Sequence, residues 1–157
     1  MESFSLTHFK SISLEELNSV KLLNRKDTKF VFSQSNLKQL LEKLIPFYQI
    51  LEIDGKRSFM YDNTYFDTEQ FLFFIQHHNE SRRRFKVRYR QYCETDEQYF
   101  EIKVKDNKSR TIKKRIRSVN RGGDFVEPEK RLIFEIIGLS PQDLIPKLDI
   151  QFSRMTL

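Results

Sequence analysis

The sequence predicts an α+β fold, a chiefly antiparallel sheet with flanking helices. Two observations carry that prediction. Residues 81–117 contain three consecutive stretches of two-residue alternation, while helical periodicity is confined to the beginning, middle and end of the chain. In the first stretch Arg84, Lys86, Arg88 and Arg90 share a face, and Phe85, Val87 and Tyr89 take the other. In the second, Tyr99, Glu101, Lys103 and Lys105 oppose Phe100, Ile102 and Val104. In the third, Thr111, Lys113, Arg115 and Arg117 oppose Ile112, Lys114 and Ile116. Three neighbouring strands therefore present cations to one side.

The remaining elements follow in chain order. Residues 12–24 read as a helix, with Ser13 and Glu16 at capping-box spacing and a stripe of Leu14, Leu17, Val20 and Leu23. The period then changes, and 25–32 reads as a strand with Phe30 and Phe32 opposite Arg25, Asp27 and Lys29. Ser35 opens a second helix that carries Leu37, Leu40, Leu41 and Leu44 and ends at Pro46. Asp54-Gly55 predicts a hairpin between strands at 48–53 and 57–66. Asp67 or Thr68 caps a third helix that turns Phe71, Leu72, Phe74 and Ile75 inward. Beyond the cationic strands, Arg121 to Asp124 forms a turn, and Glu127 to Gly138 a helix with Pro128 in its first turn and Gly138 as its stop. A helical turn, SPQDLI, precedes a last strand from Lys147 to Met155.

Charge narrows the function. The chain of 157 residues has a net charge of +6, and fourteen Lys and Arg face five Asp and Glu between Arg82 and Arg117. Like charges opposed across a ladder repel, so such a face is either solvated or built for an anion. The arginine pair Arg88 and Arg90 favours the second reading, because a guanidinium fork binds phosphate oxygens two at a time. On this reading, removing Arg88 or Lys103 relieves repulsion and weakens anion binding without unfolding the protein. One cysteine, Cys93, excludes an internal disulfide and a cysteine-based metal site. His77 and His78 are adjacent and cannot aim at one metal from a regular helix, so helix-end electrostatics or hydrogen bonding is their expected role. No Gly-rich phosphate loop and no Ser/His/Asp or Cys/His arrangement is present. The N-terminal MESFSLTHFK lacks a signal-peptide pattern and no apolar run is long enough to span a membrane, so a soluble, cytoplasmic protein is expected.

Five blocks, RKDTKFVF, DNTYFDT, HHNESRRRFKVRYRQY, FEIKVKDNKSRTIKKRIR and PKLDIQFSRM, occur in an order that resembles the vacuolar transporter chaperone (VTC) domain of polyphosphate polymerases, a branch of the triphosphate tunnel metalloenzymes. The resemblance spans residues 22–155 and implies one such domain over 1–157. It implies an antiparallel barrel with a basic tunnel, incomplete here because the sequence stops after the strand that carries Arg154. By motif, Lys29, Arg88, Arg90, Lys103, Lys113, Arg115 and Arg154 are the implied phosphate contacts, and Arg88, Arg90 and Lys103 the implied catalytic cations. Arg154 shares its side of the strand with Leu148, Ile150 and Phe152, and Phe152 stands where the family has tyrosine. Glu101 is the one carboxylate on a cationic face placed for Mn2+ or Mg2+, or else for an ion pair. The implied reaction transfers the terminal phosphoryl group of ATP to a polyphosphate chain. A non-catalytic phosphate or polyphosphate binder is the alternative. Nucleic-acid binding is the third; it would use Tyr89, Tyr92 and Tyr99, and the alternation of aromatics away from the cations disfavours it. Open sheet edges imply a further partner, a second copy of the chain.

Overall fold

In a computed structural model the described residues are 6–19, 27–106, 111–120 and 124–157. Two compact units divide the chain, one drawn from Met1–Phe59 with Arg154–Leu157 and the other comprising Met60–Ser153.

The first unit begins with a 3-10 turn, Leu6–His8, and a short strand, β1 (Lys10–Ile12). Helix α1 (Leu14–Ser19) opens on the expected capping box: the Ser13 amide donates to the Glu16 carboxylate at 2.8 Å and the Glu16 amide to Ser13 Oγ at 3.2 Å. Val20, Leu23, Arg25 and Lys26 lie outside the described residues. Residues 27–33 form no strand, contrary to expectation; Phe30 is 82% and Val31 101% exposed. Alternation alone does not make a strand where no ladder partner supplies hydrogen bonds. Helix α2 (Leu37–Leu44) follows a 3-10 turn capped by Ser33, and strand β2 (Gln49–Leu51) pairs in parallel with β1. Phe9, Leu41 and Ile50 form the small core. Arg57 ties the unit together, donating to Glu52 at 2.6 Å and to the carbonyls of Leu6 and Phe9 at 2.7 and 3.0 Å.

The Asp54-Gly55 turn forms, with φ of 50° and 73° and a bridge between Ile53 and Lys56. The hairpin it was expected to close does not. Strand β3 (Phe59–Asp67) belongs to another sheet, while β2 is taken by β1.

That second sheet has five strands in the order β6-β5-β4-β3-β7, with β4 (Arg84–Tyr92), β5 (Glu97–Lys105), β6 (Thr111–Ser118) and β7 (Ile145–Arg154). It is antiparallel: β3 pairs β4, β4 pairs β5 and β5 pairs β6 in that sense. At the β7 edge Tyr61 stacks on Phe152, Asp62 meets Gln151 and Thr64 meets Asp149, which is antiparallel register. The sheet is open, not closed into a barrel, among the described residues.

One face of this sheet is the core, where Phe66, Phe85, Val87, Tyr89, Phe100, Ile102 and Val104 pack with Ile133 of α4 (Glu127–Ile137). Gly138 ends α4 at φ 81°, a left-handed conformation that glycine takes without a Cβ clash, as its place in the sequence predicts. Buried Glu129 locks α4 down, accepting from Tyr89 Oη at 2.5 Å, Ser118 Oγ at 2.6 Å and the Val126 amide at 3.0 Å. Burial and this acceptor raise the Tyr89 phenol well above its ordinary value.

Helix α3 (Leu72–His78) is capped by Asp67, as expected, whose carboxylate accepts from the amides of Phe73 at 2.8 Å and Phe74 at 2.9 Å. Its inward face differs from the expected one. Phe73 is 3% exposed and packs on Phe85, whereas Phe71, Leu72, Phe74 and Ile75 are exposed. Phe71 sits at φ 57°, ahead of the first helical turn, which shifts the helical phase by one position. Among the described residues no helix is long and apolar enough to cross a membrane.

Phe100 is fully buried beneath α4. Phe100→Ala should lower the unfolding free energy by about 3–5 kcal/mol, read as a lower denaturant midpoint at unchanged slope.

Candidate functional site

The opposite face of the five-stranded sheet carries the cations, and the register arranges them in rows that cross the strands. Arg84 stands beside Lys105; Lys86, Lys103 and Lys113 form the next row; Arg88, Glu101 and Arg115 the third; Arg90, Tyr99 and Arg117 the fourth. Lysines opposed on neighbouring strands, as in the second row, repel across the ladder. Of that row, Lys113 reaches the carboxylate of Glu101 in the next row.

The third row is built around one. Glu101 is 2% exposed, in the middle strand of the three. Arg88 grips its Oε2 with Nε at 2.8 Å and Nη2 at 2.6 Å, and the Lys113 ammonium lies 2.6 Å from Oε1. Burial opposes ionisation of Glu101, but the bonds from Lys113 and Arg88 and their charges outweigh it and hold the carboxyl below its ordinary value. The same pair raises Arg88, against the effect of burial. Arg88 also donates Nη1 to Tyr65 Oη at 2.8 Å. Its guanidinium is thus fixed on three sides.

The fourth row is held by rings and an amide. Arg90 donates Nε to Asn63 at 2.9 Å and lies 5.1 Å over the Tyr61 ring, and Arg115 lies 4.9 Å over Tyr99. Buried Asn63 in turn donates to the Ile150 carbonyl of β7 at 3.3 Å. Arg117 pairs with Glu97 at 3.3 Å.

The structure therefore brings Arg88, Arg90, Glu101, Lys103, Lys113 and Arg115 onto one face. Lys29 belongs to the first unit, in the exposed segment without strand pairing. Arg154 is the last residue of β7 and has the alternation of Leu148, Ile150 and Phe152. Phe152 of that alternation stacks on Tyr61, so within the second unit the side that looked apolar in the sequence lies on the cationic face, whereas Arg154 itself is grouped with the first unit. Tyr61, Asn63 and Tyr65 were not identifiable from alternation alone; their face is set by the pairing of β3 with β4.

His77 joins this face from α3. Burial and the charges of Lys86, Arg84, Lys103 and Lys105 push its imidazole below the ordinary value. A histidine at a helix end gives no sequence signal of such company.

Glu101 was expected to hold a divalent ion or an ion pair. Both of its oxygens face cations, and among the described residues no three His, Cys, Asp or Glu side chains converge. These residues do not fit a metal cage.

Glu101→Gln should lower stability by about 3 kcal/mol, because it strands Arg88 and Lys113 without a counter-charge. The sign with pH follows from the lowered carboxyl: the stabilisation is complete above about 4.5 and lost as pH falls through the depressed value. Denaturation of the parent and the variant should differ at pH 7 and converge in acid.

A family model for the VTC domain matches residues 24–131, more than half of the chain. No curated protein and no solved structure matches it. The chain belongs to the VTC domain family.

Proposed function

We propose that the cationic face binds the triphosphate of ATP and the end of a polyphosphate chain, and that the chain transfers the terminal phosphoryl group between them. The cationic face supports this reading: Lys86 and Lys103 oppose each other across β4 and β5, beside the buried Glu101 that Arg88 and Lys113 share, and like charges so opposed are an arrangement that a polyphosphate relieves. Phosphoryl transfer needs positioning and charge stabilisation more than a nucleophile and base. A terminal oxygen of the polyphosphate attacks the γ-phosphorus, the bond to the β-phosphate bridging oxygen breaks, and ADP leaves with those electrons. Arg90, Lys103 and Arg115 spread charge over the transferring group. Arg88 has a different task here, since its donors hold Glu101 and Tyr65; it keeps the face in shape.

The lack of a converging carboxylate set among the described residues favours a second reading, a binder of polyphosphate without turnover. A nucleic-acid surface has less support, because Tyr89 is buried in the core and Tyr92 and Tyr99 pack edge-on against each other.

The test is incubation of the chain with ATP, polyphosphate primer and Mn2+, with ADP release and chain growth read together. Growth matched to ADP supports the polymerase, saturable triphosphate binding without growth supports the binder, and absence of both overturns the reading. Lys103→Ala should weaken inorganic triphosphate binding about tenfold, about 1.4 kcal/mol, at an unchanged melting temperature. Arg88→Ala should instead lower the melting temperature, because buried Glu101 loses its main partner.

Binding also predicts proton uptake. Burial depresses His77 most and remains, but a bound polyanion offsets the further lowering by Lys86, Arg84, Lys103 and Lys105, so the imidazole rises and takes up a proton. A complex that binds more protons than its parts forms more tightly as pH falls. Calorimetry at pH 6.5 in buffers of different ionisation enthalpy should show uptake in the parent in excess of that in His77→Gln, with the ligand's own protonation common to both.

A further inference from the structure

Next to the lysine row is a concavity of about 460 Å3 with an apolar wall. Buried Phe66, Phe73 and Phe85 line it, as do exposed Phe74, Leu148 and Ile150. Lys86, His77, Lys147 and Asp67 are among its polar lining, and Lys86 is a member of the lysine row. His77 stands within electrostatic reach of Lys103 and Lys105 as well, which ties this concavity to the cations of β5.

Three features define what fits. The volume is that of a small-molecule site. Phe74 is 62% exposed, although it stacks on His78, and Leu148 is 54% exposed; large apolar groups left open in a concavity mark a contact surface. The polar groups nearby are already engaged: the Asp67 carboxylate accepts from three backbone amides, and Lys147 Nζ donates to the Glu69 carbonyl at 3.3 Å and lies over the Phe71 ring. The occupant is therefore flat and apolar at one end and anionic at the other. A larger concavity, about 710 Å3, is lined by Asp62, Asp124 and Asp149, the wrong charge for such a ligand.

We propose that the pocket between α3 and β7 holds the base of a nucleoside triphosphate whose phosphates lie on Lys86 and Lys103. The proposal rests on the phosphate-binding reading above and adds to it a preference for nucleotides over inorganic phosphates. Recognition is by stacking and apolar contact, so adenine and guanine are accepted alike.

Calorimetry without divalent ion compares ATP, GTP and inorganic triphosphate on the parent and on Phe74→Ala and Leu148→Ala. Base stacking is worth about 1–3 kcal/mol, so ATP and GTP should each bind at least about fivefold more tightly than triphosphate. The variants should remove that advantage and leave triphosphate affinity unchanged. Equal affinity of ATP and triphosphate for the parent, or an equal loss of both in the variants, overturns the base pocket while phosphate binding stands. If neither ligand binds, the phosphate-binding reading falls and the pocket with it. If the variants instead change the sedimentation coefficient and not nucleotide affinity, the patch is a self-association surface and the proposal is wrong.

Discussion

The site depends on a buried carboxylate in a strand surrounded by cations. Without Glu101, the third row would place Arg88 and Arg115 on either side of an uncharged residue, with Lys113 one row away. With it, the guanidinium of Arg88 and the ammonium of Lys113 are drawn inward to 2.6 Å contacts, and the repulsion of the row becomes an attraction. A charge pair in a site this enclosed makes a weak case for net stability, since desolvation offsets much of the attraction. What it provides is position. Arg88 is immobilised by Glu101 and Tyr65.

The other side of the sheet permits this arrangement. Tyr89 alternates with Arg88 and Arg90 along β4, and its hydroxyl donates to Glu129 of the helix that seals the core. Each strand is thus clamped from both faces: ion pairs and stacked rings on the cationic side, aromatic packing and the Glu129 hydrogen bonds on the other. Arg83 adds a tie from the strand's approach, donating to the Ile136 carbonyl near the C-terminus of α4 at 2.8 Å, where the helix dipole favours a cation. A face crowded with like charge is carried by a core packed on the other side of the same strands.

The parts legible in the sequence are those whose signal is local. Strands β4, β5 and β6, the capping box at Ser13, the Asp67 cap and the Gly138 stop all depend on residues within a few positions of one another, and each appears as read. The parts that were not legible depend on partners far along the chain. Phe30 and Phe32 alternate as a strand would, yet residues 27–33 pair with no strand. The Asp54-Gly55 turn forms, but the strands after and before it go to different sheets. Of the candidate site, the cations of β4 to β6 could be read from parity; the aromatic and amide groups of β3 that hold them could not, because only the register with β4 gives them a face. Helix α3 shows a subtler case: the pattern was helical, but a left-handed residue at its start moved Phe73 into the place expected of its neighbours.

The rows also imply a direction for a bound polyanion. Along a strand, side chains on one face recur every second residue, about 6.7 Å apart, whereas across the strands they recur at about 4.8 Å. On the proposed reading, a chain of phosphates lies across the strands over Lys86 and Lys103, with Lys113 shared with Glu101, rather than along any one strand. To one side that track meets the Arg88–Glu101 clamp, whose charge is already partly neutralised; to the other it meets Arg84 and Lys105, which oppose each other across the ladder. Lys86, Arg84, Lys103 and Lys105 all act on His77, so like charge gathers at the His77 end of the face. On the proposed reading, phosphates settle at that end of the face, with the clamp as the rigid wall that keeps the lysines in register.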